Sequence, residues 1–445
     1  MKSTRTVRSA AATSVSSCSG MTKMPPTPVA PVGSNTSQFD PESGQLDPTL
    51  GAPMIQANEW SLWPYSRWTF SNVSEHTRTA RVWRGPGPVL TMPRRLRDIG
   101  GIEIAFRDGR RATVSEFLER DYTAGFLVLH RGEIVFETYM NGMEPHFQHV
   151  GRSVSKTLTG TMVGILVGKD LIDPGSLVTR YLPELQATAY RGATVQHLLD
   201  HTAGATIGKG EDDQYVAGSQ YYNYVVALGY HGPVETHPDA PASVWDAILG
   251  ITKQEAPHGA RYAYFDPNHD VLGFIMQRVT GTFLPELFSS ELWSPMGAEE
   301  DACQIVDPAR HAMTSGGFQA TLRDWARFAL LHLRRGKLNG RQIVPAEWID
   351  HTRAASDGLF QLQGGQLAYH NCFEIFDRKR RDYGHDGYAG QTLYIDPQSD
   401  FAAMKLSHRS VPGEVFTHHR PVPKPEFSYD DTRAAMRAIR DQLAK

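Results

Sequence analysis

Ser153 and Lys156 form the only S-x-x-K pattern in this chain of 445 residues. A serine hydroxyl is a weak nucleophile unless a base lies beside it. Residues at positions i and i+3 face the same side of a helix, so Lys156 can reach the hydroxyl of Ser153. Burial and neighbouring positive charge would keep this lysine uncharged and able to accept the proton. The pair therefore predicts covalent acyl transfer.

The bulk composition excludes several other classes of function. The formal net charge is −3 and no basic block stands out, so nucleic acid is an unexpected partner. No apolar run approaches the roughly 18 residues of a membrane span, so a membrane partner is not expected either. Cys18, Cys303 and Cys372 are too few and too scattered for a disulfide framework. We expect a cytoplasmic protein, with a periplasmic or exported protein as the alternative.

The order of sequence patterns predicts two lobes after a disordered segment at 1–55, which is rich in Ser, Thr and Pro. Apolar runs at 125–129 and 133–137 predict a hairpin, and runs at 390–395 and 401–406 predict a second strand pair. A sheet lobe is expected from 56–193 and 341–445, with a mostly helical lobe from 194–340 and the active site between them.

The C-terminal tail predicts an amphipathic helix. Met436, Ile439 and Leu443 recur on one helical face, and Asp430 or Asp431 is expected as the N-cap.

The Ser153 segment, at the start of an apolar helix, resembles the active-site helix of serine β-lactamases and penicillin-binding proteins. Residues 195–204, 262–281 and 315–324 are similar to further segments of that family in the same order. The resemblance implies an α/β (α+β) fold of the β-lactamase/transpeptidase-like type, with an antiparallel sheet flanked by helices and a helical insertion. It also implies that no metal or organic cofactor is needed.

The same resemblance implies roles for individual residues. Ser153 would be the nucleophile, Lys156 its base partner and Tyr264 the acid that protonates the leaving group. Backbone N–H groups of Ser153 and Tyr388 would form the oxyanion hole. Asp266 stands where the family usually has asparagine, and Asn268 could substitute for it.

Several runs, at 151–164, 172–174, 181–185, 268–272 and 390–397, resemble the branch of the family that hydrolyses linear amides. That branch implies a loop tyrosine over the substrate, matched by Tyr215, and the acids at 211–213 would attract a substrate ammonium. The resemblance also implies that Asn268, Ser315, His385 and Gln391 lie at the substrate. His385 occupies the usual lysine position, which argues against a dedicated β-lactamase because the carboxylate-binding cation is missing.

Other functions stay open at this point. His197 and His201 have the i, i+4 spacing of a zinc pair, but the same residues match a segment of the serine family, so no metal is predicted. A carboxylesterase or a D-aminopeptidase or DD-peptidase would use the same motifs. A catalytically silent peptide-binding protein is the alternative from another class. The expected partner is a small amide or ester, and a homodimer is one option for assembly.

Overall fold

The computed structural model describes residue 55 and residues 59–208, 216–232, 236–354, 367–410 and 424–445. The predicted disordered segment 1–55 therefore lies almost entirely outside the described residues. Within these ranges, no helix has the length and apolar character that crossing a membrane requires.

The secondary structure of the described residues mixes short and long elements. The α-helices are α1 Ser66–Thr69, α2 Val114–Arg120, α3 Ser155–Val167, α4 Val178–Tyr181, α5 Val195–Leu199, α6 Gln220–Ala227, α7 Val244–Leu249, α8 Pro267–Thr280, α9 Leu284–Phe288, α10 Ser294–Met296, α11 Leu322–Leu333, α12 Ala346–Ala354 and α13 Tyr429–Leu443. The strands are β1 Thr79–Val82, β2 Glu103–Ala105, β3 Arg111–Thr113, β4 Thr123–His130, β5 Glu133–Tyr139, β6 His149–Val150, β7 Ala205–Thr206, β8 Lys253–Gln254, β9 Ala302–Ile305, β10 Phe318–Ala320, β11 Lys337–Leu338, β12 Arg341–Gln342, β13 Ala368–His370, β14 Phe373–Asp377, β15 Asp382–Gly387, β16 Gln391–Asp396 and β17 Phe401–Ser407.

The largest sheet joins early and late parts of the chain. Its described strands lie in the order β13-β14-β15-β16-β17-β4-β5, and neighbouring strands are antiparallel. The hairpin β4–β5 turns at Arg131 and Gly132, whose φ angles of 54° and 80° suit a tight two-residue turn. Both predicted strand pairs are therefore confirmed.

Helices cover both faces of this sheet. On one face α3 and α11 bury Leu158, Met162 and Phe328 against residues of the strands such as Met404. On the other face α2 and α13 pack their apolar sides, including Ile439, onto a separate apolar cluster. The active-site helix α3 is therefore held inside the larger of the two cores.

The C-terminal helix is confirmed, with Met436, Ile439 and Leu443 buried. The predicted N-cap is wrong, because the cap is Ser428. Its Oγ accepts the N–H of Asp431 at 3.2 Å, and the Asp431 carboxylate accepts the N–H of Ser428 at 2.9 Å. In this reciprocal capping box the side chain at the third helical position accepts the N–H of the cap residue, and Asp431 takes that position.

A smaller sheet lies within the range predicted to be mostly helical. Its order is β1-β9-β10-β6, so strands from 194–340 pair with strands from the early part of the chain. These strands have three or four residues, too few to show a period in the sequence. The lobe boundaries at 193 and 340 stay predictions.

Candidate active site

Ser153 lies in the 3₁₀ turn Arg152–Val154 that leads directly into α3. Arg152 has a φ of 50°, a left-handed conformation that costs energy in a residue with a side chain. Lys156 follows in the first turn of α3 and is fully buried. Its Nζ donates a hydrogen bond to Ser153 Oγ at 3.0 Å. The i, i+3 spacing thus brings the amine to the hydroxyl.

Tyr264 reaches the same hydroxyl from a distant part of the chain, just before α8. Its phenolic oxygen is 2.7 Å from Ser153 Oγ. Lys156 Nζ lies 4.7 Å from the centre of the Tyr264 ring. The serine hydroxyl is therefore held between an amine and a phenol.

His201 fixes the backbone on both sides of Tyr264. Its carbonyl accepts the N–H of Ala263 at 2.8 Å, and its Nδ1 accepts the N–H of Phe265 at 3.1 Å. The rings of His201 and Tyr264 are 4.6 Å apart between centroids. Burial lowers the pKa of His201 well below its usual value of 6.5, so the imidazole is neutral and can accept at Nδ1.

The other histidine of the zinc-like spacing also binds a backbone amide. His197 Nδ1 accepts the N–H of Thr194 at 3.1 Å, and Thr194 Oγ1 accepts the N–H of His197 at 3.2 Å. This pair caps the start of α5. Both histidines thus have structural partners in the chain itself.

Asp266 gives Lys156 a negative neighbour. Lys156 Nζ donates to the Ser315 carbonyl at 2.6 Å and lies 2.7 Å from Asp266 Oδ1. With N–H groups already directed at Ser153 and Ser315, an uncharged amine would point its lone pair at the carboxylate. The ammonium form avoids this repulsion and is stabilised by the carboxylate. Among the described residues, the charged group beside Lys156 is thus a carboxylate and not the expected positive charge, and this neighbour favours the ammonium form.

Asp270 is a supporting residue that sequence reasoning did not select, although it lies in the run 268–272. It is buried on α8, where its carboxylate accepts the N–H of Thr314 at 2.9 Å and the N–H of Ser315 at 3.3 Å. Tyr224 also donates to it. Burial is the main cause that raises the pKa of Asp270 to about 6. These bonds fix the Ser315 carbonyl that contacts Lys156; the only sequence signal was an acid inside an apolar helix.

The end of β15 lies against the backbone of Ser153. A Cβ placed on Gly387 would lie 2.8 Å from the oxygen of Gly151 and 3.2 Å from the nitrogen of Ser153, so this approach requires glycine. Tyr388 follows at once and lines the same cavity as Ser153. An oxyanion hole from the N–H groups of Ser153 and Tyr388 stays a prediction, and this close approach is what it requires.

A cavity of about 810 Å³ opens over Ser153 and Tyr264. This volume suits a small molecule. Two of the predicted substrate-binding residues, Ser315 and His385, line it. Tyr215 lies outside the described residues.

Asn268 and Gln391 are not brought to this cavity, so their predicted contact with substrate is not supported. Both are fully buried. Gln391 donates to the oxygens of Ser407 at 2.5 Å and Tyr388 at 3.1 Å, and accepts the N–H of Ser407 at 2.9 Å. The Asn268 amide nitrogen is 3.4 Å from His201 Nδ1. Gln391 therefore ties the Tyr388 turn to β17, and Asn268 lies behind the site.

Comparison with known proteins gives consistent similarities. The model of the Beta-lactamase family matches residues 111–422. The 6-aminohexanoate-dimer hydrolase of Paenarthrobacter ureafaciens is 30% identical over 365 residues, which cover 80% of this chain and 88% of that protein. A solved structure from Bacillus anthracis, described as a 6-aminohexanoate-dimer hydrolase, has 26% identity and a TM-score of 0.77, covering 88% of this chain and 96% of that chain. A family VIII carboxylesterase has 17% identity and a TM-score of 0.53, covering 73% of this chain and 95% of that chain.

Proposed function

Since the chain belongs to the Beta-lactamase family, we propose that it is a serine hydrolase that cleaves linear amide bonds through an acyl-enzyme intermediate. Its fold is the β-lactamase/transpeptidase-like fold that the sequence predicted. It is a relative of 6-aminohexanoate-dimer hydrolase, so a linear oligomer of 6-aminohexanoate is the model substrate. One observation carries the proposal: Ser153 Oγ is within hydrogen-bond distance of both Lys156 and Tyr264.

The hydrogen bonds suggest how Ser153 would lose its proton. Lys156 donates to Ser153 Oγ, so the ammonium cannot accept the proton from it. The phenolic oxygen of Tyr264, at 2.7 Å, is the acceptor in position when it is ionised. The nearby ammonium of Lys156 stabilises that phenolate. Attack of Oγ on the substrate carbonyl then transfers the serine proton to Tyr264 and forms the tetrahedral oxyanion.

The same phenol would complete both halves of the reaction. When the C–N bond breaks, Tyr264 gives its proton to the leaving amine and an ester to Ser153 remains. Water then attacks this ester while its proton passes to Tyr264, and the proton returns to Ser153 Oγ as the acid product leaves. The backbone N–H groups of Ser153 and Tyr388 would hold the oxyanion in both steps.

The cavity wall argues for a neutral or amine-bearing amide over a β-lactam. His385 stands where the family's lysine would bind a β-lactam carboxylate, and burial lowers its pKa to about 3. A neutral imidazole does not replace that cation.

A panel of substrates tests the proposal. The linear 6-aminohexanoate dimer, p-nitrophenyl butyrate and a D-Ala-D-Ala peptide are incubated with the wild-type protein and with Ser153→Ala. We expect hydrolysis of the dimer by the wild type and none by the variant, with matching circular dichroism spectra. Turnover of the ester alone would indicate a carboxylesterase, and turnover of the D-Ala-D-Ala peptide alone a peptidase. No turnover of any substrate would indicate a silent peptide-binding protein.

A further inference from the structure

We infer that Glu374 in β14 binds a positively charged ammonium group of the substrate at the wall of the catalytic cavity. The inference rests on the proposed function only because that function places the substrate in this cavity. It makes amides with a free terminal amine the preferred class over amides whose ends are neutral or acidic.

Glu374 belongs to the same cavity as the nucleophile. It lines that cavity together with Ser153, Tyr264 and His385. Its side chain is 14% exposed, so the carboxyl is largely removed from water and still reachable. Its Oε2 accepts the N–H of Asp386 at 3.3 Å, which holds the carboxyl against β15.

The other acids that line the cavity already contact a cation. Asp266 lies 2.7 Å from Lys156 Nζ. Arg433 forms ion pairs with Asp386 and with Asp430. The negative charge of each of these carboxylates is therefore balanced by a lysine or an arginine of the chain itself.

Glu374 differs from these acids in its neighbours. The nearest basic atom recorded for it among the described residues is His385 Nδ1 at 3.9 Å. That nitrogen is 2.5 Å from the oxygen of Asp386, so it carries the imidazole proton and donates to this carbonyl. Burial lowers the pKa of His385 to about 3, and the ring is neutral. Glu374 is thus a cavity acid that has no cation in hydrogen-bond contact within the part of the chain that the structure describes.

A buried atom in the cavity wall provides an independent sign of a ligand. His385 is 1% exposed, and its Nε2 has no hydrogen-bond partner among the described residues. Because Nδ1 holds the proton, Nε2 presents a lone pair. An ammonium group has three N–H donors, so it can satisfy the Glu374 carboxylate and still reach a second acceptor.

The ionisation of Glu374 makes the expected affinity for an ammonium group depend on pH. Burial raises the pKa of Glu374 to about 8, the Asp386 carboxylate adds to the rise, and Arg433 and Lys156 oppose it. The other titratable groups near it are His385 on β15 and Tyr369, its cross-strand neighbour on β13. Below about pH 8 the empty cavity therefore holds Glu374 mostly protonated, and an ammonium must displace that proton to bind the carboxylate.

Titration calorimetry with n-hexylammonium chloride tests this directly, using the full-length wild-type protein between pH 6 and pH 9. We expect affinity to rise up to about tenfold per pH unit below pH 8 and then to level off, because ligand binding requires loss of a proton. Buffers of different ionisation enthalpy should report about one proton released per ligand at pH 7. The neutral analogue 1-hexanol should show neither effect.

Glu374→Gln removes the carboxylate and should lower the affinity for n-hexylammonium by about tenfold or more, with proton release abolished. Glu286→Gln is the matched control, since Glu286 is exposed and lines a different cavity. Equal affinity in wild type and Glu374→Gln, or wild-type binding without proton release, would overturn the inference. If Glu374→Gln fails to fold, the number of protons that the wild type releases per bound ligand still tests the inference.

This experiment needs no turnover, which separates it from the proposed function. If the protein binds n-hexylammonium with proton release and hydrolyses no amide, the cation site stands and the proposed function fails. If it hydrolyses the linear dimer and binds n-hexylammonium without proton release, the proposed function stands and the assignment of Glu374 fails.

Discussion

Lys156 at the start of α3 and Lys405 in β17 are both fully buried, and each has an aspartate beside it. Lys156 Nζ is 2.7 Å from Asp266, and Lys405 Nζ is 2.9 Å from Asp121. A buried lysine with a carboxylate partner is therefore not by itself a sign of catalysis. What differs is the rest of each environment.

The surroundings of the two lysines have opposite character. Lys156 donates to the hydroxyl of Ser153, and Asp266 is 19% exposed in a cavity of about 810 Å³. Lys405 lies beside an aspartate that is 1% exposed and that also contacts Arg409 at 3.4 Å. Burial is the main cause that lowers the pKa of Lys405. The comparison favours the proposed catalytic role for Lys156 and a structural role for Lys405.

The largest expected effect comes from replacing the lysine of the cavity. Lys156→Met should lower kcat by about a thousandfold or more, because the charge that orients Ser153 and stabilises the Tyr264 phenolate is lost. Stability should change by only about 1 kcal/mol, since the Asp266 carboxylate left behind is 19% exposed and can be hydrated. Steady-state kinetics and urea unfolding measure the two effects. If Lys156→Met kept the kcat of the wild type, the proposed difference in role between Lys156 and Lys405 would be contradicted.

Lys405→Met should give the reverse pattern. It leaves the Asp121 carboxylate buried with only Arg409 nearby, and should cost about 3 kcal/mol of the free energy of unfolding. The kcat of the folded protein should stay within about threefold of wild type, because Lys405 has no contact with Ser153 or Tyr264 among the described residues. A large loss of kcat at unchanged stability would show that this second lysine also takes part in catalysis.

A third substitution tests whether His201 holds the phenol of Tyr264 in position beside Lys156. His201→Leu removes the acceptor for the N–H of Phe265 and should lower kcat by up to about a hundredfold through misplacement of Tyr264, with KM little changed. His201→Asn retains an acceptor and should restore most of the rate. Equal rates in both variants would mean that the imidazole does not position Tyr264.

The nucleophile and its lysine could be predicted because their contact is local. Residues i and i+3 of a helix meet whatever the rest of the fold does, so the S-x-x-K pattern was sufficient to place Lys156 beside Ser153. The β4–β5 hairpin was predictable for a similar reason, since its signal lies within neighbouring residues. Tyr264 required the family resemblance, because 111 residues separate it from Ser153.

The electrostatic partners could not be found in this way. Asp266, Asp270 and Glu374 become important only where the fold removes their carboxyl groups from water and sets a charge or an amide beside them. Nothing in the sequence around Gln391 indicated that its side-chain amide would be hydrogen-bonded to the backbone of Ser407 in β17. The short strands β9 and β10 were missed because they have only four and three residues, and their outer partners β1 and β6 are distant in the sequence.

Labelling of Ser153 by a fluorophosphonate tests the central claim most directly. The serine oxygen displaces fluoride from phosphorus, and intact mass spectrometry with peptide mapping locates the adduct. We expect one adduct on Ser153 in the wild type and in Lys405→Met, and labelling at least about a hundredfold slower in Lys156→Met. An adduct on another residue, or equally fast labelling of Lys156→Met, would contradict the account.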